Sequence, residues 1–262
     1  MDGSDGDIFL SGDRTKGSHW RITVRRCGAS VRYSVNSIKD GGWRDASADD
    51  AERKRLYVIF RAIQNLRDRV LVLGADRMIT LTYQENMQDM AVAIRHLKAF
   101  VKGVRKKYKK FLFVAVAELQ KRGAIHWHIA VRGYYDAPYF MLPLWRGIIG
   151  GLGSVHITPP RKFGNSMQIA FYIGKYMGKG WEDGERPKYK HLYLVSRGLK
   201  PDISKLRLYG ANSDEMVAWL QARVRAEGKS VVHASFNMPY REQGSVLAYP
   251  LRPAAAPYRG GR

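Results

Sequence analysis

Apolar residues recur along this chain with two different periods. At 56, 59, 60, 63, 66 and 70 the spacing is helical and predicts an amphipathic helix from about Ala51 to Leu71. Met87, Met90, Ile94, Leu97, Val101, Val104 and Tyr108 keep a 3-4-3-4 spacing, with Arg95, Lys98, Lys102 and Arg105 interspersed, the clearest helical signal in the sequence. Period two takes over elsewhere. "HWRITVRRCGASVRYSV" (19–35) alternates around Cys27-Gly28 as a basic hairpin, and "RMITLTY" (77–83) reads as a strand. "FLFVAVAE" and "AIHWHIAV" read as two buried strands, followed by a helix near 138–149, a strand "SVHIT" and a helix over "NSMQIAFYIGKYMGKG". "HLYLV", a helix from Asp214 to about Ala226 and "VVHASF" complete the set. Strands alternating with helices around one tight hairpin predict an α+β fold, a central antiparallel sheet flanked by helices. Residues 1–17 are expected to be disordered and 18–75 to form a basic N-terminal extension of hairpin plus helix. Residues 76–236 are expected to form the main domain, and 237–262, rich in proline, glycine and arginine, a flexible basic tail.

Charge changes this picture most. Forty-five Lys and Arg against 23 Asp and Glu give a formal +22 on 262 residues, which points to a polyanionic partner, nucleic acid before an anionic membrane. No apolar run near the roughly 18 residues of a membrane span and no lipidation signal is present, so no membrane partner is expected. The acidic, glycine-rich start is unlike a signal peptide, and a single cysteine, Cys27, suits a reducing cytoplasm. The run Lys102, Arg105, Lys106, Lys107 falls where a helix C-terminus favours cations. It reads either as a solvated face or as a set of phosphate contacts, with Arg122 as a further contact.

Candidate chemistry gathers in two places. Lys121-Arg122-Gly123 fits a three-residue hairpin loop with Gly123 in the left-handed position. Gln120 then pairs with Ala124 and Glu118 falls opposite His126. Alternation puts His126 and His128 on one face, where Glu118 can join them as a third metal ligand. Gln120, on the same face, is the alternative if the loop shifts register. A His-x-His strand alone is more often core or surface histidine. The ligand set by itself does not choose among Zn²⁺, Mn²⁺, Fe²⁺ and Mg²⁺, and phosphate oxygens as substrate would favour Mg²⁺ or Mn²⁺. The second place is "YIGKYMGKG". Tyr172 and Tyr176 stand four apart on one helix face, and Lys175 and Lys179 each follow a tyrosine by three. Gly174 lies on the back of this helix, which predicts a covering element there. Together the two sites suggest a tyrosine attacking a phosphodiester, with a metal and a lysine neutralising the charge.

Those motifs, in their order, resemble the HUH endonucleases, in particular the two-tyrosine rolling-circle replication initiators of phages and plasmids. "MITLTY" at 78–83 matches the first motif, "HWH" the second and "YIGKYMGK" the third; "VSRGLKP" at 195–201 is also similar to phage-type initiators. The resemblance covers about residues 77–180 and implies a ferredoxin- or RRM-like HUH nuclease domain within 76–236. It implies that a metal at His126, His128 and Glu118 supports nicking of single-stranded origin DNA, with duplex or a hairpin adjacent. A 5′-phosphotyrosine would form and a free 3′-OH would prime synthesis. Tyr176 is expected to make the initiating cut and Tyr172 to serve in strand transfer. Thr80 and Thr82 are expected to be structural, and His156 and His191 ordinary. No G-x-x-x-x-G-K-[ST] is present, so a host helicase and polymerase are expected partners. A two-tyrosine transposase, a metal-free single-strand-binding protein and a zinc hydrolase are the competing readings. For residues 1–70, a basic hairpin plus helix suits duplex binding near the nick.

Overall fold

The computed structural model describes residues 6–10, 19–38, 49–120, 122–133, 136–158, 164–179, 193–237 and 243–250. The chain divides into two compact units, Ala46–Lys200 and the pair of segments Met1–Asp45 and Pro201–Arg262.

In the Ala46–Lys200 unit, strands β4 (Arg77–Tyr83), β5 (Phe113–Leu119), β6 (Ile125–Val131), β7 (Gly153–Thr158) and β8 (Leu194–Val195) form one sheet in the order β7-β4-β6-β5-β8. Every neighbouring pair is antiparallel. Helix α2 (Met90–Lys107) joins β4 to β5. A π-helical turn (Ala137–Met141) and α3 (Leu142–Ile149) join β6 to β7. The order β-α-β-β-α-β, with its first and third strands central, is the ferredoxin-like pattern. It meets the expected α+β architecture.

Alternation gives this sheet two different faces. Ile79, Leu81 and Tyr83 of β4 and Ile125, Trp127 and Ile129 of β6 point to one side, where Ala93, Leu97, Phe100, Val101 and Val104 of α2 and Trp145 of α3 close the core. Asp89 caps α2, its carboxylate accepting from the Ala91 and Val92 amides at 2.8 and 3.0 Å. The Trp145 indole donates to the Thr82 carbonyl at 2.8 Å. The other face, which carries His126 and His128, is covered by α1 (Asp49–Leu73) and α4 (Ser166–Lys179).

In the other unit the sheet order is β1-β9-β2-β3-β11-β10. Its strands are β1 (Gly6–Phe9), β2 (His19–Cys27), β3 (Ser30–Ile38), β9 (Asp202–Tyr209), β10 (Lys229–Asn237) and β11 (Gln243–Pro250). Helix α5 (Ser213–Ala226) covers one face, packing Met216, Leu220 and Val224 on Trp20, Ile22, Val24, Tyr33, Leu208 and Val246. A capping box between Asn212 and Glu215 starts the helix. At its far end the Tyr33 hydroxyl donates to Glu227 at 2.7 Å, and Lys229 bonds the same carboxylate at 2.9 Å.

Several expectations are corrected here. Residues 243–250 are not tail but strand β11, paired on both sides with β3 and β10. Residues 6–9, expected to be disordered, are strand β1, paired in parallel with β9. Strand β9 itself has no counterpart among the predicted elements. Helix α1 groups with the unit of β4–β8 rather than with the β2–β3 hairpin, and the segment after Pro201 groups with that hairpin. For β1, β9 and the β11–β3 pair the cause is pairing between segments far apart in sequence, which local periodicity does not report. Residues 1–5, 11–18, 238–242 and 251–262 lie outside the described residues.

This packing sets how two glycines and one tyrosine tolerate substitution. A Cβ on Gly153 would lie 2.5 Å from the Thr82 carbonyl oxygen and 2.9 Å from the Trp145 indole nitrogen, whereas at Gly147 nothing lies within 4 Å. Gly153→Ala is therefore expected to cost about 1–3 kcal/mol, and Gly147→Ala, inside α3, to gain up to about 1 kcal/mol, both read by chemical denaturation. Burial alone would raise the Glu227 pKa, but the hydrogen bond from Tyr33 and the bond and charge of Lys229 outweigh it and hold it below its usual value. The stability this contributes is present above pH ~4.5, the ordinary glutamate range, and is lost as pH falls through the depressed value. Tyr33→Phe is expected to cost about 1–2 kcal/mol at pH 7 and less at pH 3. A gap that stays constant with pH would contradict this account.

Candidate active site

The hairpin sets the site. Gly123 adopts φ +82°, its amide donates to the Gln120 carbonyl at 2.7 Å, and the Gln120 amide donates to Ala124 at 2.9 Å. Counting back from that closure pairs Glu118 with His126 and Val116 with His128, while Thr80 on β4 pairs with His128 from the other side. This is the register expected from the loop.

His128 is 6% exposed. Its Nε2 lies 2.7 Å from Glu118 Oε2 and its Nδ1 3.3 Å from Thr80 Oγ1. An ionised carboxylate only accepts, so Nε2 carries the proton, and in the neutral ring Nδ1 accepts from the Thr80 hydroxyl. Glu118 thereby sets the tautomer, and the Thr80 hydroxyl meets the ring from its other nitrogen. His126 differs. Its Nδ1 sits 3.1 Å from Gln120 Nε2, and its Nε2 is buried with no hydrogen-bond partner among the described residues. Burial first, and then the His128 charge with a contribution from Arg122, push the His126 pKa down; Glu118 opposes them. The ring is neutral at neutral pH, the form a cation requires.

An unpartnered buried imidazole nitrogen beside a second imidazole and a carboxylate is chemically suited to a divalent ion. Turning the Gln120 amide end for end would let His126 Nδ1 donate and free the Nε2 lone pair. As they stand, Glu118 bonds His128, and among the described residues no three His, Cys, Asp or Glu side chains are gathered as a metal cage.

Helix α4 brings the tyrosines to this face. The Tyr176 ring stacks on His128 with centroids 4.0 Å apart and planes 9° from parallel. Tyr172 meets Tyr176 edge-on at 5.3 Å. Burial, the hydrogen bond and charge of Tyr172, and the negative charge of Glu118 together raise the Tyr176 pKa far above its ordinary value. The hydroxyl is protonated at rest and needs activation to attack. Lys175 is exposed, its Nζ 5.9 Å from the Tyr172 ring centre. The Lys179 side chain, like His191, lies outside the described residues.

The back of α4 is covered, as its glycine implied, and the cover is α1. A Cβ on Gly174 would stand 3.1 Å from Arg67 Nε and 3.5 Å from Ile63, and the Arg67 guanidinium lies 4.3 Å over the Phe171 ring. Helix α1 therefore braces the tyrosine helix, a role its own periodicity does not reveal.

The basic residues do not all reach this place. Lys102, Arg105, Lys106 and Lys107 ride on α2, across the sheet from His126 and His128. Arg105 donates to the Phe111 carbonyl and Ser196, and Lys107 pairs with Asp136 at 3.5 Å. Arg122 is exposed at the hairpin turn beside Glu118 and His126. The alternation of "SVHIT" could have signalled one neighbour: His156 pairs with Thr80 and so shares the face of His128, and Ser154 meets Thr82 at 2.6 Å in the next row.

A family model described as replication-associated protein ORF2 matches residues 76–181, less than half of the chain but the span that carries every residue of this site. The match supports a replication initiator. No curated protein and no solved structure matches the chain. Among the described residues no helix is long and apolar enough to cross a membrane.

Thr80→Val is expected to cost about 1 kcal/mol and to shift the His128 ring-nitrogen resonances, while Thr80→Ser stays near wild type in both. Unchanged resonances in Thr80→Val would remove the Thr80 contact to Nδ1.

Proposed function

We propose that this replication-associated chain nicks and rejoins one DNA strand at an origin through a 5′-phosphotyrosine, starting and ending rolling-circle replication. The observation that carries the reading is Tyr176 stacked on His128, with Tyr172 hydrogen-bonded to it. His126 and His128, with Glu118, are the residues that would hold a divalent ion, Mg²⁺ or Mn²⁺, whose charge would polarise the scissile phosphate.

Tyr176 is the initiating nucleophile in this reading because it alone of the two lies on the histidine ring. Its hydroxyl gives up its proton as Oη bonds to phosphorus, the P–O3′ bond breaks, and the leaving 3′-oxygen takes up a proton, so that protons balance. The phosphotyrosine conserves the phosphodiester, so the reverse reaction rejoins a strand without ATP. Tyr172, within hydrogen-bond reach of Tyr176, receives the strand at termination. Lys175 and Lys179 offset charge on the phosphate. With an ion in place the Glu118–His128 hydrogen bond would give way to ligation, Thr80 would keep His128 oriented from Nδ1, and α1 holds the tyrosine helix against the sheet. Arg122, Lys102 and Lys106 are exposed cations for the DNA backbone. Unwinding and extension of the 3′-OH fall to a host helicase and polymerase.

The test incubates single-stranded origin DNA of the encoding replicon with Mg²⁺ or Mn²⁺, followed by a denaturing protein gel. Wild type and Tyr172→Phe are expected to form a metal-dependent adduct that Tyr176→Phe and the double variant His126→Ala/His128→Ala do not form. Tight binding of the same DNA without any adduct would replace this reading with a non-catalytic single-strand-binding protein.

A further inference from the structure

The sheet of the Met1–Asp45/Pro201–Arg262 unit has a second face, opposite α5. Residues paired directly across strands share a face, so the registers give its composition row by row. Arg207, Arg21 and Asn36 form one row across β9, β2 and β3. Lys205, Thr23 and Ser34 form the next, and Ile203, Arg25 and Arg32 the third. Arg21, Lys205 and Arg207 are exposed, with Thr23, Arg25, Ser34 and Asn36 half-buried between them. The far end, at Arg32 and Leu247, is buried. Arg25 lies along the sheet, its guanidinium donating to Ser34 at 3.2 Å. Asp7, opposite Arg207, is the carboxylate registered on this face among the described strand residues.

Like charges set directly opposite each other on paired strands destabilise a sheet. Here Arg21 faces Arg207, with Lys205 one row away, about 7 Å along the strand. Asp7, on the other side of Arg207, offsets part of this charge, and the exposed face keeps an excess of cation that a polyanion would meet. Hydroxyl and amide side chains between the cations supply the neutral hydrogen bonds that phosphate oxygens also accept. In the middle of the face, among the described residues, no aromatic ring is available for bases to stack on. Tyr209 and His19, at its edge, pack on each other. Single-stranded DNA needs such rings and a duplex backbone does not.

We propose that this basic sheet face, centred on Arg21, Lys205 and Arg207, is a docking platform for the phosphate backbone of duplex DNA. It lies outside residues 76–181, the span of the family match, and stands on the charge and register of this face rather than on the tyrosine chemistry. It also relocates the duplex contact anticipated for residues 1–70: half of the surface comes from β9, after residue 200, and α1 belongs to the other unit.

The experiment uses the full chain and a 20-base-pair duplex of arbitrary sequence, with fluorescence anisotropy across a salt series. Arg21→Gln/Arg207→Gln is expected to weaken duplex binding roughly 10- to 100-fold near 0.1 M salt and to lower the salt slope by about 2, one for each phosphate that is no longer neutralised. The variant should stay folded with a melting temperature close to wild type, since both side chains are exposed. Single-stranded DNA of the same length should lose much less affinity. Equal losses on single strand and duplex would make this face a single-strand track and overturn the proposal. Unchanged duplex binding by a folded variant would overturn it as well.

Discussion

Strand β6 is covered on both sides and still carries two imidazoles. The device that permits this is the closure of the β5–β6 turn at Gly123, where a left-handed backbone fixes which residues of two strands face each other. Side chains alternate with period two, so a slip of one residue would turn Trp127 toward α4 and drive His126 and His128 into the apolar core under α2. Burying two imidazoles there would leave their nitrogens without partners, while Trp127 would leave a large void behind. The apolar core thus enforces the register, and the register assembles the polar face. Packing and chemistry are two sides of one strand.

The tyrosine helix depends on the same arrangement. Stacking of Tyr176 on His128 requires the imidazole to stand at a fixed tilt, and Glu118 and Thr80 hold it from its two nitrogens. On the other side, α1 presses Ile63 and Arg67 against the bare backbone of Gly174. A side chain at 174 would hold the helices apart. The site is pre-organised between a sheet that fixes one ring and a helix that carries the other.

Much of this was legible in the sequence because it is local. The hairpin register followed from a three-residue loop with glycine at its left-handed position, and helix α2 from an unbroken stripe of apolar residues. What stayed hidden was long-range. Strand β9 alternates plainly, with Leu206 and Leu208 inward and Lys205 and Arg207 outward, but its partner β2 lies some 180 residues earlier. Strand β11 is short, and its place between β3 and β10 cannot be inferred from its own eight residues. Charge alone groups the cations of α2 with the site. Trp127 between the two histidines already divides the faces, and the helix that buries Trp127 must lie away from them.

The division of the chain also has a consequence for the order of events during synthesis. Met1–Asp45 and Pro201–Arg262 form one unit with the other inserted between them. When residue 200 has been made, β2 and β3 exist as a lone hairpin, which in water is at best marginally stable. The inserted unit, drawn from the continuous stretch Ala46–Lys200, can fold while translation continues. The basic sheet must wait for β9, α5 and β11. A nascent chain would therefore complete its tyrosine–histidine face first and only later display the ordered array of cations on the second sheet. The strongly charged surface is then absent while the ribosome's own nucleic acid is close by.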